Sequence, residues 1–226
     1  MVSKGDKVVT LRILIVDDRE DVRETLREII ELNISGGDIS VEDMFPLPSV
    51  ADYPSYVREN DVAAIVLDER LNESRDPATG IHIDYFGHDV VDLLRRALPD
   101  FPIYVVTTFG KSVDLLAKEE KFEDVVERDE FMRKAELYSH RIQRAASRFR
   151  SSMQQSLVEL NDLTLKAAEG KISPEEMERL TAVRQVLGLP FSGSADLLIS
   201  DLVFEARSLA QESEDLLRLL QTEERK

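Results

Sequence analysis

Four polar residues stand where apolar runs stop. Asp17 and Asp18 follow Leu11-Arg12-Ile13-Leu14-Ile15-Val16, Asp68 follows Val62-Ala63-Ala64-Ile65-Val66-Leu67, and Thr107 follows Pro102-Ile103-Tyr104-Val105-Val106. If these runs lie side by side as strands of one sheet, three carboxylates and a hydroxyl share a small crevice. Carboxylates held close together repel and raise each other's pKa. A hard divalent cation removes the conflict, and Mg2+ favours carboxylates plus waters. With the cation in place, one carboxylate can attack a phosphoryl group while the metal and a hydroxyl donor stabilise the oxygens being transferred. Taken singly, each acid also reads as a helix N-terminal cap or a solvated strand end. The order and spacing of all four carry the chemical reading.

The elements that must position them follow from periodicity. Leu11–Val16 and Val62–Leu67 read as buried parallel strands, residues 39–45 as a second strand, 102–106 as a fourth and 124–126 as a short fifth. Helices are expected over 19–32, with Val22, Leu26, Ile29 and Ile30 on one face, over 87–97, with Val90, Val91, Leu94 and Ala97 inward, and over 111–119. A short helix over 50–59 is weakened by Pro54. Strands alternating with helices make an α/β chain with a doubly wound, five-stranded parallel sheet. In such a sheet ligands bind beyond the carboxyl ends of the strands, where these polar residues fall.

Residues from about 10 to 133 resemble a response-regulator receiver domain of two-component signalling. The stretches that carry the likeness are Ile13-Leu14-Ile15-Val16-Asp17-Asp18, Ile65-Val66-Leu67-Asp68-Glu69-Arg70-Leu71 and Pro102-Ile103-Tyr104-Val105-Val106-Thr107, with the helix 87–97 between the last two. The resemblance implies the receiver, flavodoxin-like fold and makes Asp68 the phospho-accepting aspartate. It implies that Asp18 binds Mg2+ directly and Asp17 mostly through water. Asp68 and the backbone carbonyl of Arg70 would be further ligands, and Thr107 the switch hydroxyl. A sensor histidine kinase or other phosphodonor protein would be the upstream partner.

Departures from the pattern are specific. Receivers carry a lysine after the fifth strand and a proline behind it, whereas here Arg128 and Asp129 hold those positions and Val125 holds that of the aromatic switch. Arginine keeps the positive charge, and so the phosphoryl contact, without the compact geometry of an ammonium. Residues 72–86 form a polar, turn-rich insertion beside Asp68, read as a pocket cover, a recruiting surface or a solvated loop. It brings His82 and Asp84 near His88, at a spacing that matches no familiar zinc pattern. His140, beside Arg141 and Arg144, is a solvated helix residue or a phospho-relay histidine. The chain has no cysteine and no Gly-rich phosphate loop, and with 3 histidines, none at a strand end, it suggests no serine-histidine-acid triad. No enzyme motif is visible beyond self-catalysed aspartyl phosphorylation.

The 226 residues divide by charge and period near 132–136, giving a receiver-like domain over 1–133 and a helical output or oligomerisation region over 134–226. The first part holds 16 basic and 30 acidic residues, the second 13 and 15. The total of −16 argues against nucleic acid as a partner. No apolar run is long enough to span a membrane, and the start lacks a signal peptide, so the cytoplasm is the expected location. In the tail, Ile142, Ala146, Phe149, Met153, Ser156, Leu160, Leu163 and Ala167 alternate spacings of four and three as an a/d seam. The helix should end near Gly170. Ser173-Pro174-Glu175-Glu176 starts a second over about 174–187, and a third runs from Ser194 to about 222 along Leu198, Leu202, Leu209, Leu216 and Leu220. These helices can form a bundle or hairpin, pair as a homodimer, or dock a downstream protein. Arg141, Arg144, Arg148 and Arg150 read as a solvated basic side or a phosphate contact. Two functions remain: a Mg2+-dependent phospho-switch acting through Asp68 on the helical tail, and a degenerate receiver serving as a phosphorylation-independent scaffold or adaptor.

Overall fold

A computed structural model of the chain describes residues 11–34, 36, 39–75, 79–80, 82–108 and 121–187. The apolar runs are strands β1 (Leu11–Val16), β2 (Ile39–Met44), β3 (Val62–Leu67), β4 (Ile103–Thr107) and β5 (Asp124–Glu127). All pair in parallel, in the order β2-β1-β3-β4-β5. This is the doubly wound, flavodoxin-like order, and it reverses direction between β1 and β3. Every residue of β3 is buried, as a central strand covered on both faces must be.

Alternation along the strands makes two cores. Ile13, Ile15, Ala64, Val66, Tyr104, Val106 and Val126 belong to one, and Leu14, Val16, Ile65, Leu67, Ile103 and Val105 to the other. Helix α1 (Glu20–Asn33) covers the first with Val22, Leu26 and Ile30. The second lies under Tyr53 and Val57 of α2 (Tyr53–Glu59) and Val90, Val91 and Leu94 of α3 (Gly87–Ala97). The expected helix over 50–59 is a 3-10 turn, Val50–Asp52, running into α2. Pro54 lies in the first turn of α2, where its missing N–H is no loss.

The chain's last part starts helically sooner than its periodicity indicates. Helix α4 (Arg128–Arg133) begins directly at the end of β5, with Asp129 and Glu130 in its first turn, and Lys134 leaves helical geometry before α5 (Ala135–Ala168) begins. Phe131 of α4 and Tyr138, Ile142, Ala145 and Ala146 of α5 complete the core under α1, and Phe149 meets Phe101 edge-on at 5.3 Å. The first half of the a/d seam is therefore used within the sheet domain, against Val106 and Val126 among others.

Two compact units result, Met1–Ser152 and Met153–Lys226. In the second, α5 ends at Ala168, two residues before Gly170, which takes a left-handed φ of +68°. Helix α6 (Pro174–Val186) then starts on a capping box: Ser173 Oγ accepts from the Glu176 N–H and Glu176 Oε2 from the Ser173 N–H. Leu163, Leu180, Val183 and Leu187 are the buried apolar residues of this hairpin. The helices expected over 111–119 and from Ser194 to about 222 lie outside the described residues. No described helix is long and apolar enough to cross a membrane.

Candidate functional site at the carboxyl rim of the sheet

The rim beyond β1, β3 and β4 gathers buried polar side chains: Asp17, Asp18, Asp68, Glu69 and Thr107. The strands dictate which of them meet. Val16 pairs with Leu67 across β1 and β3, and the Asp68 N–H donates to the Val16 carbonyl at 3.0 Å, so Asp17 and Asp68 leave adjacent strands side by side. Asp17, Asp68 and Arg128 each stand two residues beyond a member of the first core: Ile15, Val66 and Val126. Asp18 and Thr107 stand two beyond Val16 and Val105, in the other alternation.

Arg128 follows that logic. Its Nη2 donates to Asp17 Oδ2 at 3.0 Å and lies 3.4 Å from Asp68 Oδ1. The three side chains are 12%, 1% and 7% exposed, which makes this a buried ion cluster. Asp17 Oδ1 accepts from the Arg19 N–H, and Arg23, itself paired with Asp43, donates to the Asp17 carbonyl. Asp68 Oδ2 accepts from the Arg70 N–H, and the Thr107 hydroxyl bonds the same carboxyl group. Asp68 Oδ1 is buried and, among the described residues, has no hydrogen bond.

Two acids share one guanidinium, and the pKa values follow. Burial, reinforced by the Asp68 charge, pushes Asp17 up to about 7, against the pull of the Arg19 N–H and Arg128. Burial also raises Asp68, while Arg128 and Thr107 hold it back.

Asp18 is directed elsewhere. Its Oδ2 accepts from the Ser74 N–H at 2.5 Å, so the insertion is tied to the rim at this carboxylate. The insertion contributes Ile83 and Tyr85 to the core, beside Leu71 just before it, and closes with a bridge between Arg75 and His82. His88 does not join His82 and Asp84. Its Nδ1 lies 2.5 Å from Glu69 Oε1 and its N–H donates to Glu69 Oε2. Burial raises the Glu69 pKa, which His88 opposes. Gly87 makes this junction feasible: a Cβ there would stand 2.3 Å from the Asp68 carbonyl oxygen.

These facts test the Mg2+ implied by the receiver likeness. A hard cation needs carboxylates converging on one point. Here Asp17 is engaged by Arg128 and Arg19, Asp18 by Ser74, and among the described residues no three acidic, histidine or cysteine side chains gather as a metal site. As arranged, the side chains do not fit the ion, because the cationic charge between Asp17 and Asp68 is a guanidinium. Sequence reasoning placed Arg128 near the phosphoryl position but missed Ser74 and Glu69. The Ser74 bond joins residues 56 apart through a backbone N–H, which leaves no mark on residue type.

Of the basic residues on α5, Arg141 pairs with Asp124 and Arg150 with Asp61, so half of that cluster is committed within the first unit. Val125, set against the aromatic-switch position only by the resemblance, is partly buried against the second core.

No protein-family profile matches the chain, and no curated protein matches it. Among solved structures it is similar to the non-phosphorylated HemR receiver domain from Leptospira biflexa, at 22% identity over 60% of this chain and 94% of that one, with a TM-score of 0.43. It is similar to the receiver domain of NtrX from Brucella abortus, at 17% identity, 61% and 96% coverage and a TM-score of 0.42. A beryllofluoride-activated NtrC4 receiver domain dimer is similar at 22% identity, 62% and 99% coverage and a TM-score of 0.43.

Proposed function

We propose that this chain is a receiver-like signalling adaptor whose acidic rim is balanced internally by Arg128 and which works through protein contacts without phosphoryl chemistry. The observation that carries this reading is the guanidinium seated 3.0 Å from Asp17 and 3.4 Å from Asp68. A guanidinium stays protonated at any physiological pH, so it cannot relax its hold by losing a proton. On this reading the chain has no separate substrate, acts in the cytoplasm and takes protein partners, a downstream one through its helical region.

A second reading has its own support. Asp68 Oδ1 lacks a hydrogen bond among the described residues, and Thr107 bonds the same carboxyl group. An available carboxylate oxygen beside a hydroxyl and a cation suits phosphoryl acceptance. This reading calls for Mg2+, with Asp17, Asp18, Asp68 and the Arg70 carbonyl as its ligands, and for a histidine kinase or another phosphodonor.

Acetyl phosphate and beryllofluoride, each with Mg2+, separate the two. The adaptor reading expects no mass increment with acetyl phosphate and unchanged amide spectra with beryllofluoride, in wild type and Asp68→Asn alike. A base-labile phosphoryl adduct on the wild type, absent from Asp68→Asn, would establish the second reading instead.

A further inference from the structure

We infer that Arg128 is a built-in cation that closes the rim to divalent metals, its guanidinium taking the place between Asp17 and Asp68 that such an ion would need. The inference rests on the adaptor reading and deepens it by saying what excludes the metal.

Three carboxylates leave adjacent strand ends, and only one of them, Asp18, has its close partner in the insertion. The other two face a shared guanidinium. A second cation entering between Asp17 and Asp68 would meet that fixed charge at contact distance in a site shielded from water, where like-charge repulsion is strongest. A lysine there would be a single point charge on a flexible stem, able to move aside. Arginine presents a planar fork that already bonds Asp17.

The Asp68 side chain supplies the independent sign that the rim is built to hold a ligand. It is 7% exposed, and its Oδ1 has no hydrogen bond among the described residues. The guanidinium reaches that atom only at 3.4 Å, so the arginine neutralises Asp68 without satisfying it. Removing Arg128 would leave the Asp17 and Asp68 carboxylates beside that unsatisfied oxygen with no cation between them, which is the donor chemistry a hard cation takes.

The experiment uses the full chain and reads metal binding directly. Mn2+ is followed by water-proton relaxation and Mg2+ by titration calorimetry, for wild type, Arg128→Gln, Arg128→Lys and the double variant Asp17→Asn/Arg128→Gln. Circular dichroism checks that each folds. Wild type should show no saturable binding at millimolar metal. Arg128→Gln should bind at least about tenfold more tightly, since one fewer positive charge faces the ion. Arg128→Lys should fall between them, and the double variant should lose the gain. If Arg128→Gln does not fold, the Lys variant decides: tighter binding than wild type supports the inference, and equal binding overturns it. Arg128→Gln folding without gaining metal overturns the inference and leaves the adaptor reading standing. Saturable, submillimolar binding by wild type overturns both.

Discussion

Buried ion pairs belong to the first unit, which also carries exposed ones, whereas none of the described pairs of the second unit is buried. At the rim of the sheet, Arg128 and Asp17 meet at 12% and 1% exposure, and the Arg23–Asp43 pair nearby is 9% and 21% exposed. In the hairpin, Arg179 pairs with Glu159 at 61% and 34%, and Lys171 with Glu169 at 73% and 58%. A buried charge is costly to desolvate and leaves an uncompensated partner if its mate is removed, whereas exposed pairs are screened and contribute little. The same contrast holds for apolar surface. The sheet unit buries nearly every residue of its central strands. The hairpin leaves Leu157 at 53% and Val158 at 72% exposed. A functional site that must hold a fixed charge pattern belongs to the first kind of environment, and an adaptable contact surface to the second.

The largest expected effect tests where the first environment ends. Tyr138, Ile142, Ala145 and Ala146 sit in the core beneath α1. A chain cut after residue 133 loses them, which should remove about 5 kcal/mol or more, comparable with the whole stability of a small domain. A chain cut after residue 152 should melt as a single cooperative unit. Urea titrations of the two fragments measure this. Equal stability would mean that the start of α5 is a linker and that the contrast between units begins at Lys134.

A middle-sized effect concerns pH. Asp17 stands at about 7 in the folded protein, against 3.8 for an ordinary aspartate. The folded state therefore keeps a proton that the unfolded chain releases between those values, and the stability this group contributes is lost as pH rises from about 3.8 through about 7. Asp68 and Glu69 are raised as well and act in the same sense. Denaturation midpoints should fall from pH 5 to pH 8, by an amount worth on the order of a few kcal/mol, and Asp17→Asn should flatten the slope. A slope unchanged in that variant would mean that the rim is better hydrated than its burial indicates.

What sequence made legible and what it did not divide along the same line. Strand ends were readable because an apolar run that stops at Asp17, Asp68 or Thr107 marks both the edge of the core and the rim. Period 2 also makes Asp17, Asp68 and Arg128 members of one alternation, although the β5 register needed for that step rests on four residues. Whether Arg128 moves aside or stays was not readable, since its bond to Asp17 spans 111 residues and depends on the packing of α4. The a/d seam was real, but periodicity cannot say whether an apolar stripe faces a sheet, a neighbouring helix or another copy. Here its first half faces the sheet.

The smallest effect lies in the hairpin. Ser173 Oγ accepts from the Glu176 N–H at 3.2 Å, and the Glu176 side chain returns the bond to the Ser173 N–H at 2.9 Å. Such a box fixes only the first turn of one helix, so Ser173→Ala should cost about 1 kcal/mol. The loss should be local. Amide exchange should speed up over Met177–Arg184 while the strands β1 and β3 keep their protection. Arg179→Gln, which removes an exposed pair, should change neither. If Ser173→Ala instead loosened the sheet amides, local and global stability would be coupled through α5, the helix both units contain. The exposed charges of the hairpin would then belong to the same cooperative structure as the buried ones at the rim.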